Sequence, residues 1–405
     1  MHKTILLTSL LFLTIISSCQ NTNEPRVQML EVHPETRISV GAEQMDEYLP
    51  LLNNKTVGVV TNQTGMIGTT HLVDSLLSRN VIVKKVFAPE HGFRGQAANG
   101  EHVTDGKDGI TGLPIISLYG NHKKATPEDL SGLDIVIFDI QDVGARFYTY
   151  ISTMHYLMEA CAENGVKLLV FDRPNPNGYY VDGPVLEEGY SSFIGMHPVP
   201  VVHGCTVGEF ARMINGEGWL KNGIQCDLQV ISCRGYTHDS FYSLPVAPSP
   251  NLPNMASVYL YPSLCFFEGT DISVGRGTDI PFQCFGAPSS TVGAYHFTPK
   301  HLPGVANHPP HENQECRGMN LSDYGAFMLK SEKRIQLNWL ILMKEKYPEE
   351  LFSRPEFFDK LAGNEALRKS INTGKTEEEI RASWQPALLD YKERRKKYLL
   401  YPDFQ

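Results

Sequence analysis

The sequence predicts an α/β protein: a doubly wound, Rossmann-like N-terminal domain followed by a smaller mixed α+β C-terminal domain. Three observations carry this: apolar runs recur in order, helical patterns alternate with them, and the composition changes near Asn254. The runs are Thr56–Thr61, Val81–Ala88, Leu113–Leu118, Ile135–Asp139 and Lys167–Asp172. They are rich in Val, Ile and Phe and mostly lack alternation, which marks strands buried on both faces of a parallel sheet. Between them, Thr70–Arg79 places Leu72, Leu76 and Leu77 on one side. Phe147–Asn164 places Ile151, Met154, Met158 and Cys161 on one stripe. Strand alternating with helix gives a sheet with helices packed on its faces. Thr206-x-x-Glu209 is a capping box that opens a further helix, and Cys226–Ser232 reads as another strand.

Leu244–Pro262 is rich in Pro, Ser and Asn and reads as loop. Val274–Pro310 is rich in Gly and Pro, with short extended pieces. From Ser322 the pattern turns helical: Arg334–Tyr347 carries Ile335, Leu337, Leu340, Ile341 and Met343, and Glu377–Tyr401 is largely helical. The charge run Lys392–Lys397 reads as a solvated helix face.

The N-terminus carries a different signal. A cationic start precedes an almost wholly apolar run, Ile5 to Ile16, which is too short for a stable membrane span. Ile16-Ser17-Ser18-Cys19 follows and resembles the lipobox of bacterial lipoproteins. That resemblance implies cleavage before Cys19, lipid on its thiol, and an exported chain anchored to a membrane, facing the periplasm or the cell surface. The expected divisions are therefore 1–18 signal, 19–36 tether, 37–254 α/β domain and 255–405 mixed domain. No later stretch is apolar enough to span a bilayer.

The chain has 405 residues and a net charge of −9. No basic tract precedes the C-terminal helix, which argues against nucleic acid as a partner. Cys161, Cys205, Cys226, Cys233, Cys265, Cys284 and Cys316 form no C-x-x-C pair, and several lie in apolar patterns expected to bury them as thiols. His308-Pro-Pro-His311 lacks further ligands, so no metal site is expected. No Gly-x-Gly-x-x-Gly follows the first strand and no Walker loop occurs, so the layout implies no nucleotide cofactor.

In open α/β sheets, ligands bind beyond the carboxyl ends of the strands. Polar segments follow four of the runs: Asn62–Gly65, Pro89–Gly95, Asp139–Tyr148 and Asp172–Gly178. Three of them mix carboxylate with arginine. Gly204-Cys-Thr-Val-Gly208 has the glycine spacing of a nucleophile elbow, but its centre is Thr206 and it fits a helix cap better. Carboxylates are the stronger candidates. Glycosidic cleavage commonly uses one carboxylic acid to protonate the leaving oxygen and a second group to supply or orient the nucleophile. Glu90 ends an apolar strand, where partial burial would suit a general acid; as a plain structural residue it would cap a helix or pair with Arg94. His91 is placed to tune it or to bind a sugar hydroxyl. Asp142 is the outer candidate for the second group, and Asp139 reads equally well as a buried structural acid. A later cluster, Phe266–Thr278, interleaves aromatic, acid, glycine and arginine, and its Glu268 rivals Glu90. Arg146, Arg173 and Arg276 have the forked geometry to hold a ligand carboxylate, although each alone is more often an ion-pair partner.

Four segments carry a family likeness: Pro89-Glu-His-Gly-Phe-Arg-Gly95, Asp139-Ile-Gln-Asp-Val-Gly-Ala-Arg-Phe-Tyr148, Asp172-Arg-Pro-Asn-Pro-Asn-Gly178 and Phe267-Glu-Gly-Thr-Asp-Ile-Ser-Val-Gly-Arg-Gly277. With Val202–Glu209, Ile380–Trp384 and Tyr398–Tyr401, they resemble the exo-β-N-acetylmuramidase (NamZ, DUF1343) family over nearly the whole mature chain. The resemblance implies a Rossmann-like domain, an auxiliary C-terminal domain, and a cleft between them. It also implies release of terminal N-acetylmuramic acid from the non-reducing end of peptidoglycan fragments. On these segments Glu90, Asp142 and Glu268 are the candidate catalytic residues. His91, Arg94, Gln141, Arg146, Tyr148, Arg173, Asn175, His203, Asp271 and Arg276 are the candidate substrate contacts. The muramyl ring bears a lactyl carboxylate for an arginine, and its acetamido group can itself serve as nucleophile. A lipoprotein that binds sugars or muropeptides without catalysis is the alternative, distinguished by binding without product.

Overall fold

The computed structural model describes residues 37–94 and 105–404. Cys19, the signal, the tether and Gly95 lie outside them. Helix α1 (Met45–Leu52) leads into β1 (Thr56–Thr61), where every residue after Thr56 is buried. A small hairpin, β2 (Met66–Ile67) and β3 (Thr70–His71), precedes α2 (Leu72–Ser78). The expected helix over Thr70–Arg79 therefore starts two residues late. Thr70 and His71 pair with β2, and the His71 ring caps the helix by accepting from Val73 N. Strand β4 (Ile82–Ala88) follows, then β5 (Gly106–Lys107), β6 (Pro114–Ser117), α3 (Pro127–Leu130) and β7 (Ile135–Asp139). Helix α4 (Tyr150–Asn164) crosses to β8 (Lys167–Phe171) and ends at Gly165, whose φ of 65° provides the left-handed cap. The pair β9 (Asp182–Val185) and β10 (Pro200–Val202) precedes α5 (Val207–Gly216), where Thr206 and Glu209 form the expected capping box. Strand β11 (Leu228–Ile231) completes the central sheet.

The sheet order is β11-β8-β7-β1-β4-β6-β5, and every pairing is parallel except β5 with β6. The chain builds outward from β1 through β4 to β6, then returns to the other side of β1 at β7. That reversal is the doubly wound order expected from the sequence, and it opens a crevice at the strand ends.

Helix α6 (Met255–Leu264) corrects the loop expected over Leu244–Pro262. From Ser257 to Leu264 it is buried on every side, so it shows no helical apolar stripe, and it contains Pro262. Proline removes the N–H that would bond the carbonyl four residues back. That carbonyl, of Val258, accepts instead from Asn177 Nδ2 at 3.2 Å. Asn254 caps the helix through Ser257 N.

A three-stranded antiparallel sheet follows: β12 (Cys284–Ala287), β13 (Tyr295–Phe297) and β14 (Cys316–Asn320), with β14 in the middle. Helices α7 (Ser322–Ser331), α8 (Asn338–Lys346), α9 (Pro355–Ala362), α10 (Ala366–Asn372) and α11 (Glu377–Lys396) close the chain. One apolar core runs from Val60, Phe87 and Phe138 on the sheet through Met154 and Phe210 to Phe266, Leu340 and Trp384. The other face of the sheet has its own layer, with Val57, Val59, Leu72 and Leu76. The seven described cysteines are all buried free thiols.

Candidate active site

Three strand ends meet at one carboxyl group. Past the end of β4, His91 and Gly92 take positive φ values of 69° and 79° and turn the chain back on itself. The left-handed conformation costs a non-glycine residue about 1 kcal/mol. The turn closes with Gly92 N donating to Pro89 O at 3.0 Å. Glu90 Oε1 accepts from the Tyr119 hydroxyl, two residues past β6, at 3.0 Å. Its Oε2 accepts from Thr149 Oγ1, the N-cap residue of α4, at 3.0 Å. The His91 ring lies 3.3 Å from Ser249 Oγ.

Glu90, His91, Tyr119 and Thr149 line a cavity of about 250 Å³. Its other residues come from both parts of the chain. Cys265 and Glu268 lie in the short 3-10 turn after α6, Phe282 precedes β12, and Phe357 and Leu361 belong to α9. Glu268 Oε1 accepts from Arg276 Nε at 2.6 Å, and the guanidinium lies 4.9 Å from the Phe282 ring centre. Arg276 is the one lysine or arginine among the described residues of the lining. Tyr148 and Tyr150 form part of the wall. The Tyr148 hydroxyl donates to Pro248 O at 2.8 Å, and the Tyr150 hydroxyl accepts from Asn62 Nδ2 at 2.9 Å. Burial pushes both phenols well above the ordinary tyrosine range.

Of the predicted site residues, Glu90, His91, Tyr148, Glu268 and Arg276 come together here. The other eight do not line the cavity, and each has a reason. Arg173 and Asp139 form a buried ion pair, with Nε–Oδ1 2.6 Å and Nη2–Oδ2 2.9 Å. Arg146 is buried, and its terminal nitrogens donate to the carbonyls of Pro184, Val199 and Leu361 at 2.7–2.8 Å. Burial without a carboxylate lowers it to about 9. Arg94 is clamped by Asp108, at 2.9 and 2.8 Å. Asp142, expected to lie further out, is buried; its Oδ1 accepts from Gly144 N at 2.7 Å, and burial raises it to about 7. Gln141 Nε2 donates to Asp142 O and Pro174 O, both at 2.8 Å. Asn175 Nδ2 donates to Cys205 O at 2.9 Å. His203 accepts from Cys205 N at 3.2 Å, and burial pushes it down to about 3. Asp271 accepts from the Tyr347 hydroxyl at 2.8 Å.

Arg94 and Asp271 stay partly exposed, whereas Gln141, Asp142, Arg146, Arg173, Asn175 and His203 form a buried group. Gly144, with a φ of 76°, shows how tight it is: a Cβ there would stand 2.2 Å from Asn175 Oδ1. Tyr119, Thr149, Ser249, Asn251 and Phe282 are cavity residues that sequence reasoning missed. Tyr119 carries a legible signal, because it directly follows the third apolar run, Leu113–Leu118, at a strand end.

Sequence models of the N- and C-terminal domains of exo-β-N-acetylmuramidase NamZ match residues 57–256 and 259–401. The chain is 38% identical to the peptidoglycan β-N-acetylmuramidase NamZ of Bacillus subtilis, over 99% of this chain and all of that protein. Two crystal structures of DUF1343 family proteins from Bacteroides fragilis are similar. One is 47% identical with a TM-score of 0.84, the other 30% identical with a TM-score of 0.74. Each match covers 91% of this chain and all of the other.

Proposed function

The chain belongs to the NamZ family of exo-β-N-acetylmuramidases, and from that premise we propose that it removes terminal N-acetylmuramic acid from the non-reducing end of peptidoglycan fragments. It is a glycoside hydrolase. The observation that carries the reading is the pairing of two carboxyl groups in one small aromatic cavity, Glu90 held by hydroxyls and Glu268 by a guanidinium. Glu90 delivers the proton to the glycosidic oxygen as the bond breaks. The nucleophile is water or the acetamido oxygen of the muramyl ring, and Glu268 stands in the same cavity to orient it. Arg276 presents the cation for the lactyl carboxylate. The aromatic walls take the C–H faces of the sugar. A volume near 250 Å³ suits one substituted ring better than a glycan strand, which supports exo action.

The decisive experiment supplies N-acetylmuramyl-β-1,4-N-acetylglucosamine to the pure protein and follows the products by proton NMR. Free N-acetylmuramic acid is expected, and its first-formed anomer reports retention or inversion. Binding without product would leave a muropeptide-binding protein instead.

The N-terminal apolar run and Cys19 support a further part of the proposal: an exported, lipid-anchored protein that acts in cell-wall turnover. Fatty-acid labelling in cells should mark the wild type and not Cys19→Ser. Label retained by the variant would refute the anchor.

A further inference from the structure

Asn251 is 1% exposed and lines the cavity. Two hydrogen bonds of its own hold it, and one of them leads on to His91. Its Nδ2 donates to Val305 O at 2.8 Å, its backbone N donates to Ser249 Oγ at 3.3 Å, and that hydroxyl lies 3.3 Å from the His91 ring, next to Glu90. The bond to a carbonyl settles which end of the amide is nitrogen, so the other end is an acceptor. That Oδ1 has no hydrogen-bond partner. It is the one buried side-chain polar atom without a partner among the described residues of the cavity. Buried acceptors are almost always satisfied, and an unsatisfied one on a residue of the cavity wall can be met by a donor that the ligand brings.

We infer that Asn251 Oδ1 accepts the acetamido N–H of the muramyl ring and thereby selects N-acetylated sugars. The inference rests on the muramidase reading and adds the group that reads the substituent. The match is one of kind. The Asn251 oxygen only accepts, and an amide N–H only donates, whereas a sugar hydroxyl does both and is better served by Ser249 and His91. An acetamido group held by its N–H also has its carbonyl oxygen fixed in direction, as attack on the anomeric carbon requires.

The test compares two muramyl glycosides, one with the 2-acetamido group and one with a 2-O-acetyl group. The second keeps the shape and the carbonyl and replaces the N–H by oxygen. Wild type should prefer the acetamide. In Asn251→Leu the ratio of kcat/KM values should contract about ten-fold, the loss of one hydrogen bond between neutral groups. Asn251→Asp keeps an acceptor but drops the bond to Val305, so its ratio should stay near that of wild type even if its stability falls. An unchanged ratio in Asn251→Leu overturns the inference, as does an equal collapse in both variants, which would mark a purely structural residue. Should Asn251→Leu fail to fold, Asn251→Ser, which shortens the side chain and withdraws the acceptor, takes its place: the same contraction is expected, and an unchanged ratio overturns the inference, as do equal wild-type rates on the two glycosides. A contraction seen instead with a 4-deoxy glycoside would reassign the donor to a hydroxyl and defeat the claim. Failure of wild type on both glycosides would strike at the muramidase reading itself.

Discussion

Glu90 stands two residues past β4 and Asp139 is the last residue of β7, the strands that flank β1 on either side. Both follow apolar runs, and both precede segments that mix acid, glycine and arginine. Asp139 is fully buried and bound by both oxygens to Arg173, which arrives from the end of the next strand, β8. Glu90 is held by two hydroxyls, and the nearest guanidinium in sequence, Arg94, is taken up by Asp108. A charged strand end therefore becomes scaffold when a neighbouring strand end supplies its counter-charge. It becomes a site where hydroxyls from two other segments reach it and a cavity adjoins it.

Four substitutions can break or sharpen this contrast. Glu90→Gln should lower kcat by about 10²- to 10⁴-fold on the muramyl disaccharide, with the melting temperature little changed. A near-normal rate would pass the acid role to Glu268. Arg173→Met should do the opposite. Leaving Asp139 buried without its partner should cost about 3–5 kcal/mol in denaturant unfolding, while turnover per folded molecule changes far less. Equal stability would show that the pair contributes nothing. Arg276→Met removes the cavity's cation and should raise KM for muramyl substrates by about ten-fold or more. An N-acetylglucosaminyl analogue without the lactyl group should be much less affected. If both substrates suffer alike, Arg276 acts only by positioning Glu268.

The smallest effect belongs to Asp142→Asn. The folded state holds the Asp142 proton up to about pH 7, against an ordinary value of 3.8. Between those limits the folded chain binds the extra proton, so stability falls as pH rises. The variant keeps the oxygen that accepts from Gly144 N and never ionises. It should therefore match wild type near pH 4, exceed it by about 1 kcal/mol or more at pH 8, and turn over normally. A large loss of kcat would return Asp142 to the chemistry.

The fold was largely legible because parallel strands buried on both faces write themselves as unbroken Val and Ile runs. The edges of β1, β4, β6, β7 and β8 fall within a residue or so of those runs. Helix α6 was not legible. A helix buried all round has no stripe, and its proline is tolerated only because Asn177, far away in sequence, takes the freed carbonyl. The site divided along similar lines. Glu90, His91, Tyr148, Glu268 and Arg276 are chemically conspicuous residues beside turns. Ser249 and Asn251 lie in a stretch whose composition says only loop, and they matter because the Val305 carbonyl holds Asn251 and Ser249 meets His91 at the cavity. Arg146 and Arg173 looked like ligand-binding forks because residue type cannot reveal that backbone carbonyls take the terminal nitrogens of one and Asp139 takes the other.

Arg146 also governs how the molecule can be divided. Its guanidinium gathers carbonyls from Pro184 and Val199 before the α6 junction and from Leu361 after it. Gly363 gives it room, since a Cβ there would come within 2.8 Å of Nη2. Leu361 is also cavity wall. A cut just before α6, at Asn254, would leave one fragment with Arg146 short of a carbonyl and the other with a bare helix end. The first fragment would keep Glu90 and the second Glu268 and Arg276, so neither would hold both carboxyl groups. The pocket comes into being only when the second fragment docks, so two separately expressed pieces should recover activity by complementation or not at all.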